Sequence, residues 1–184
     1  MQLENMTLNE LWDLFPITFV DFDSNFSKLY LEEEQKLKSL LGSSIKRISH
    51  IGSTSIKYIK TKPIVDILIE IDFGNMSVVK DTLIDNKYLL MNESSNKISF
   101  NKGYAMNGYE DKVFHIHIKK FGDCDELYFR DYLNDNIDKA HEYEKLKLEL
   151  YNKYKPNRDL YTDGKTKFVN EIVSNTKKIY KDRY

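Results

Sequence analysis

The chain carries one cysteine, Cys124, so it has no internal disulfide, and that usage fits a reducing compartment. Neither sign of charge dominates: 28 basic and 29 acidic residues leave a formal net charge of −1. No global field therefore draws the protein toward nucleic acid or an acidic membrane, which argues against polynucleotide binding. No apolar stretch approaches the roughly 20 residues that cross a bilayer. The start, Met-Gln-Leu-Glu-Asn, lacks the basic segment and apolar core of a signal peptide. A cytoplasmic chain with no membrane partner is the expectation. Internal repeats and low-complexity linkers are missing too, and glycine nearly disappears after Asp125. What is present is 184 residues, 41% hydrophobic and 31% charged. That is enough for one domain with a substantial core.

Thr7 and Glu10 have capping-box spacing, predicting a short helix over 8–15 that ends at Pro16. Residues 17–22 read as a strand. Asp23 or Ser24 can cap a helix whose apolar positions, from Phe26 and Leu29 to Leu40 and Leu41, keep helical spacing until Gly42 stops it. Strands are expected over 45–51 and 64–71, then a helix capped by Asn75, then short strands over 87–91 and 97–102. Asn107-Gly108 is a turn signal, within a connection that reads as longer than a tight hairpin. A strand over 113–119 places His115, His117 and Lys119 on one face. Helical patterning then predicts three helices, roughly 125–134, 137–154 and 158–179, with breaks at Asn134-Asp135-Asn136 and Lys155-Pro156-Asn157. The expected class is α/β (α+β): one domain, with a mixed body over 1–122 and a helical part over 123–184 packed on it.

Residues 50–67 carry most of the functional signal. An apolar, β-branched run breaks at Gly52-Ser53-Thr54-Ser55, and the next apolar strand holds a single carboxylate, Asp66. Glycine permits a tight turn, while hydroxyls and the N–H groups of a helix start can hold phosphate oxygens. An ordinary capped turn begins the same way. Asp66 sharpens the pattern, because a carboxylate in an apolar strand needs a partner, and a metal ion is one such partner.

Ile51-Gly52-Ser53-Thr54-Ser55, followed by Lys62-Pro63-Ile64-Val65-Asp66-Ile67, resembles the signature of the GrpB-like proteins, a family placed in the nucleotidyltransferase superfamily. Phe100-Asn101-Lys102-Gly103 is similar to the family's basic strand, and His115-Ile116-His117-Ile118 to its His-x-His strand. The blocks 129–133, 142–147 and 161–165 resemble its helical C-terminal segments, so the likeness runs from Ile17 to Ile172. The resemblance implies a nucleotidyltransferase-like mixed sheet flanked by helices, with a helical C-terminal third. It implies a nucleotide or other phosphorylated small molecule as ligand. For an enzyme, it implies nucleotidyl transfer assisted by a divalent metal, magnesium or manganese.

Two departures bear on mechanism. Lys57-Tyr58 stands where the family usually has Pro-Gly, so that turn is expected to close differently. Leu68 stands where superfamily enzymes place a second carboxylate two residues after the first. Glu70 faces the same side but lies about 13 Å along the strand, too far to share an ion with Asp66. A two-metal transfer needs ions roughly 3.5–4 Å apart.

The expected site therefore recruits other elements. Asp66, His115 and His117 are the candidate catalytic residues and metal ligands. Two imidazoles and a carboxylate suit a transition metal better than magnesium, or one histidine serves as general base. The alternative is an inert, hydrogen-bonded histidine pair. Gly52, Ser53, Thr54 and Ser55, with Lys62, Lys102, Arg130, Lys147 and Lys165, are the candidate phosphate or nucleotide ligands. Lys165, in the stripe of Tyr161, Phe168 and Ile172, either snorkels to solvent or reaches an anion across a cleft. Arg130 either grips a phosphate or pairs with the helix bearing Glu142 and Glu144. Three functions follow: a metal-dependent nucleotidyltransferase, a noncatalytic phosphate-binding module favoured by Leu68, or a histidine-dependent metal hydrolase.

Overall fold

The computed structural model describes residues 6–155, 157–181 and 183–184. Its centre is a five-stranded sheet of β1 (Ile45–Ile51), β2 (Val65–Ile71), β3 (Leu89–Glu93), β4 (Lys97–Ala105) and β5 (Gly108–Lys120), in spatial order β1-β2-β5-β4-β3. Only β2 and β5 run parallel, and the other neighbours are antiparallel. Helices α1 (Leu8–Leu14) and α2 (Asn25–Leu41) precede the sheet, and α3 (Met76–Asp85) joins β2 to β3. Among the described residues four helices follow β5: α4 (Asp125–Asp135), α5 (Ile137–Tyr154), α6 (Arg158–Asp163) and α7 (Thr166–Ile179).

Alternation along β2 sets the layers. Val65, Ile67, Ile69 and Ile71 point to one face, where they join Phe114, Ile116 and Ile118 of β5 beneath Phe26, Leu37 and Leu41 of α2 and Val79 and Leu83 of α3. Each of those isoleucines contributes about 1.5–3 kcal/mol by leaving water. Asp66, Leu68 and Glu70 point the other way, toward the C-terminal helices. There Leu68 is fully buried against Cys124, Leu127 and Tyr128. Glu70 is held by Arg47 Nε and Nη2, at 2.5 and 2.8 Å, and by the Gly122 N–H. A second core joins Ile56 and Ile59, from the β1–β2 connection, to Phe129 and Leu133 of α4, Tyr143 of α5 and Ile172 and Val173 of α7. The helical third thus clamps the motif loop.

Local signals were partly decisive. Thr7 and Glu10 form the capping box, and Gly42 ends α2 with φ of 52°. Three expectations need correction. Residues 17–22 form a single bridge, Val20 with Thr61, because Ile17 and Phe19 pack against Leu150, Tyr151 and Tyr161 and do not join the sheet. The β4–β5 connection is a tight hairpin, since Ala105 pairs directly with Gly108, whose φ is 112°. The last expected helix divides into α6 and α7, where Gly164 lies so close to Leu150 that a β-carbon would collide with it. Pro156, expected at the preceding break, and residues 1–5, read for a leader, lie outside the described residues. Among the described residues no helix is long and apolar enough to cross a membrane.

Candidate functional site

The motif glycine is explained by the motif aspartate. Ile51 pairs with Asp66, and the chain then turns at Gly52 with φ of 71°. A β-carbon at Gly52 would run into the Asp66 carboxylate, so only glycine lets the turn lie over the strand. Beyond it, Ser53–Ser55 is one 3₁₀ turn, too short to present the expected helix N-terminus. Ser53 lines the cleft and its hydroxyl meets that of Thr61. Thr54 and Ser55 are corrections to the candidate phosphate ligands. Thr54 is buried, donating to the Ile64 carbonyl and meeting His50 Nε2 at 3.0 Å, and Ser55 donates to the Gly52 carbonyl at 2.6 Å. Both hydroxyls hold the turn.

Asp66, His115 and His117 do come together. Asp66 Oδ1 lies 3.2 Å from His115 Nδ1 and 3.5 Å from His117 Nε2. Parallel pairing of Asp66 with His115 and of Leu68 with His117 brings the imidazoles to the carboxylate. Tyr104 hydroxyl meets His115 Nε2 at 2.7 Å, so both nitrogens of that ring are engaged. Burial pushes the Asp66 carboxyl up, but its contacts with His115 and His117 more than reverse this and hold it well below the usual carboxylate range. Burial holds His115 below its ordinary value, against the pull of Asp66. The resting pair is a carboxylate beside a neutral imidazole.

These residues lack the paired carboxylates of a two-metal site. Leu68 occupies the second-carboxylate position and is packed under α4. Both His115 nitrogens are engaged, by Asp66 and Tyr104, whereas His117 Nδ1 is buried with no hydrogen-bond partner among the described residues. Among the described residues no group of three or more His, Cys, Asp or Glu side chains is arranged to hold an ion.

Opposite Asp66 stands a group of cations. Lys62, Lys147, Lys165 and Arg158 line one cavity of about 640 Å³ together with Ser53, Asp66, His115 and His117. Burial, then repulsion from Lys165 and Arg158, bring the Lys62 ammonium down to about 7, although Asp66 pulls the other way. Burial brings Lys147 down to about 8 and also lowers Lys165. Lys147 donates to the Lys60 carbonyl at 2.5 Å, and Lys165 sits 4.5 Å from the centre of the Tyr161 ring. Among the described residues Lys62 and Lys165 form no ion pair. The break between α6 and α7 puts Lys165 at the head of α7, facing the cavity.

Two expected cations lie elsewhere. Lys102 pairs in register with Phe114, so it faces the α2 side of the sheet, where it bonds Glu33 at 2.5 Å and lies over the Tyr88 ring. Arg130 donates to the His50 carbonyl, to Asp131 and to the Tyr184 hydroxyl, and pairs with neither Glu142 nor Glu144. Sequence reading missed Arg158, Tyr104 and His50. Arg158 looks like any first-turn residue after the Asn157 cap. Tyr104 lies past a register shift in β4 that hides its face. His50, stacked on Tyr30 at 5.0 Å, adjoins the motif, and that position was its only signal.

A mixed sheet with this turn and strand carboxylate defines a nucleotidyltransferase-like fold. It resembles the Cid1 poly(U) polymerase structure at a TM-score of 0.50 and 11% identity, covering 79% of this chain and 46% of that one, a likeness of fold alone. The chain belongs to the GrpB protein family, which matches residues 16–175. It is 31% identical over 167 residues to glutamate-rich protein GrpB of Alkalihalophilus pseudofirmus, covering 86% of this chain and 94% of that protein. It is 30% identical to YqkA of Bacillus subtilis over 96% of its own length but only 52% of YqkA. The crystal structure of conserved protein GrpB from Enterococcus faecalis matches with a TM-score of 0.76 and 26% identity, covering 89% of this chain and 99% of that one.

Proposed function

We propose that the protein binds a phosphorylated small molecule, foremost a nucleotide, in the cleft between the Gly52–Ser53 turn and the C-terminal helices. The observation that carries this reading is the set of cations. Lys62, Lys147, Lys165 and Arg158 surround one cavity, and their mutual repulsion, offset in part by Asp66, is relieved further when an anion enters. Phosphate oxygens supply that anion, with Arg158 able to form two parallel hydrogen bonds and the lysines acting as point charges. Ser53 lines the floor, where its hydroxyl donates to Thr61 and would turn from it to reach a phosphate oxygen. Asp66, held ionised, accepts a hydrogen bond from a ligand hydroxyl or amine and excludes a phosphate from its own side of the cleft. The His115 imidazole fixes the carboxylate's orientation, and Tyr104 fixes the imidazole. The Cid1 structure, described with MgGTP bound, supports a nucleotide among phosphorylated ligands.

Two-metal nucleotidyl transfer is not part of this reading, because Leu68 fills the place of the second carboxylate. Titration calorimetry with ATP, GTP, CTP and UTP, with EDTA or with magnesium or manganese, tests it. Binding that persists in EDTA and weakens at least tenfold in Lys165→Met is expected. No binding of any nucleotide or of pyrophosphate would sink the reading. Metal-dependent release of pyrophosphate, abolished by Asp66→Ala, would replace it with the transferase.

A further inference from the structure

A second cavity, of about 440 Å³, adjoins the lysine cleft and shares His115, Arg158 and Thr162 with it. Its character is different. Leu8, Leu11 and Trp12 of α1, then Phe15, and Leu90 and Met91 of β3 form its apolar side. Leu8, Leu90 and Met91 stay exposed, so this is an apolar surface left open, not a closed core. The sheet register explains why the two cavities meet. Ile51, Asp66, His115, Asn101 and Leu89 stand opposite one another across all five strands. A single row therefore runs from the carboxylate to the apolar edge, with His115 and Asn101 between. Tyr104 links them: its ring lies 4.7 Å from that of Phe15, while its hydroxyl meets His115.

We propose that this annex takes the apolar, aromatic part of the molecule whose phosphate lies among the lysines, so that the ligand is a ring-bearing phosphate ester. The proposal rests on the phosphate reading of the cleft and narrows it. Small-molecule sites of a few hundred Å³ are mostly apolar with a few placed polar groups, and the annex supplies the apolar share that the lysine cleft lacks. Arg158, on the shared wall, reaches an ester phosphate from the junction. Trp12, Phe15 and Tyr104 offer ring faces and edges to an aromatic group.

Trp12 is the chain's only tryptophan and lines the annex; it also borders a smaller cavity beside Tyr151, so an emission change is assigned to the annex only where Met91→Glu abolishes it. The intact chain is titrated with inorganic phosphate, phenyl phosphate and phenol, following both heat and tryptophan emission. Phenyl phosphate is expected to bind at least tenfold more tightly than inorganic phosphate and to shift the emission, which inorganic phosphate leaves in place. Met91→Glu, at an exposed edge position, is expected to return phenyl phosphate toward the affinity of inorganic phosphate. Equal affinities with unmoved emission overturn the annex and leave the lysine cleft standing. Phenol binding as tightly as phenyl phosphate also overturns the proposal, because the annex would then act without the lysines. If neither phosphate nor its ester binds, both readings fall.

Discussion

Gly52 and Asp66 claim the same space: the turn crosses the strand so closely that a side chain on one excludes the carboxylate of the other. The two most informative residues of the sequence are therefore a packing pair before they are a binding pair. Gly52→Ala has to adopt a left-handed backbone and displace Asp66, and about 2–4 kcal/mol of stability should be lost. Asp66→Ala in the same chain removes the carboxylate from that contact. The double variant should recover more than 1 kcal/mol of the additive expectation, read by urea unfolding of all four chains.

Tyr58 makes the converse case. It has φ of 65°, a left-handed backbone on a bulky residue, and its side chain is 70% exposed. The departure from Pro-Gly was expected to change how the turn closes, yet the backbone at Tyr58 keeps a conformation natural to glycine. Relief of about 1–2 kcal/mol of strain, offset by about 0.5–1 kcal/mol of glycine entropy, predicts that Tyr58→Gly stabilises the chain by up to about 1.5 kcal/mol. A lower urea midpoint would count against the strain.

His50 gives stability a pH dependence. Burial brings its imidazole down to about 4, with Arg130 adding to the effect and Asp66 opposing it. The folded state thus binds fewer protons than the unfolded state between pH 4 and 6.5. Stability is complete above pH 6.5 and falls as pH drops toward 4, by about 1–3 kcal/mol. His115, shifted the same way, adds to the slope. Unfolding midpoints at pH 7 and 4.5 should differ accordingly, and His50→Leu should flatten part of the difference.

Lys62, held near 7, is partly neutral at physiological pH. A bound anion favours its charged form, so ligand binding at pH 7.5 should take up protons, detected as a buffer-dependent heat. Affinity should rise as pH falls from 8 to 6.5. Lys165→Met removes one repelling neighbour. It should raise the melting temperature of the free chain while weakening phosphate binding at least tenfold, the opposition expected of charges gathered for a ligand.

Arg130→Ala and Lys102→Ala should separate structure from binding. Each loses charged hydrogen bonds remote from the cavity, to His50 and Asp131 or to Glu33. Stability should drop by about 1–3 kcal/mol with nucleotide affinity changed less than twofold. A large loss of affinity in a chain of normal stability would restore them to the site.

That His115 and His117 share a face, and that Asp66 interrupts an apolar run, was legible because alternation fixes a strand's faces; that β2 and β5 are parallel neighbours, which brings the three together, was not. The face of Lys102 was legible as well and was passed over, since Lys102 keeps the parity of Ile98 and Phe100, which point into the α2-side core; the register shift beyond it hid Tyr104. Arg130 is satisfied by Tyr184, 54 positions away, and no local pattern announces such a contact. The division of the last helix depends on Gly164 meeting Leu150, a tertiary approach absent from the helical periodicity. Arg158 had no signal because its role depends on how α6 packs against α5 beside the cavity.

Leu68 has a consequence for how the motif can change. Its side chain is a keystone between β2 and α4, sealed by Leu127 and Tyr128. Leu68→Asp would complete the two-carboxylate pattern on paper, yet it would place an unpaired charge in an apolar seam at a cost of several kcal/mol. The neighbours on α4 would have to shrink or move first. A sequence that regains the acidic pair by one substitution would still lack the site, so any route to metal chemistry in this scaffold passes through α4 before it reaches the strand.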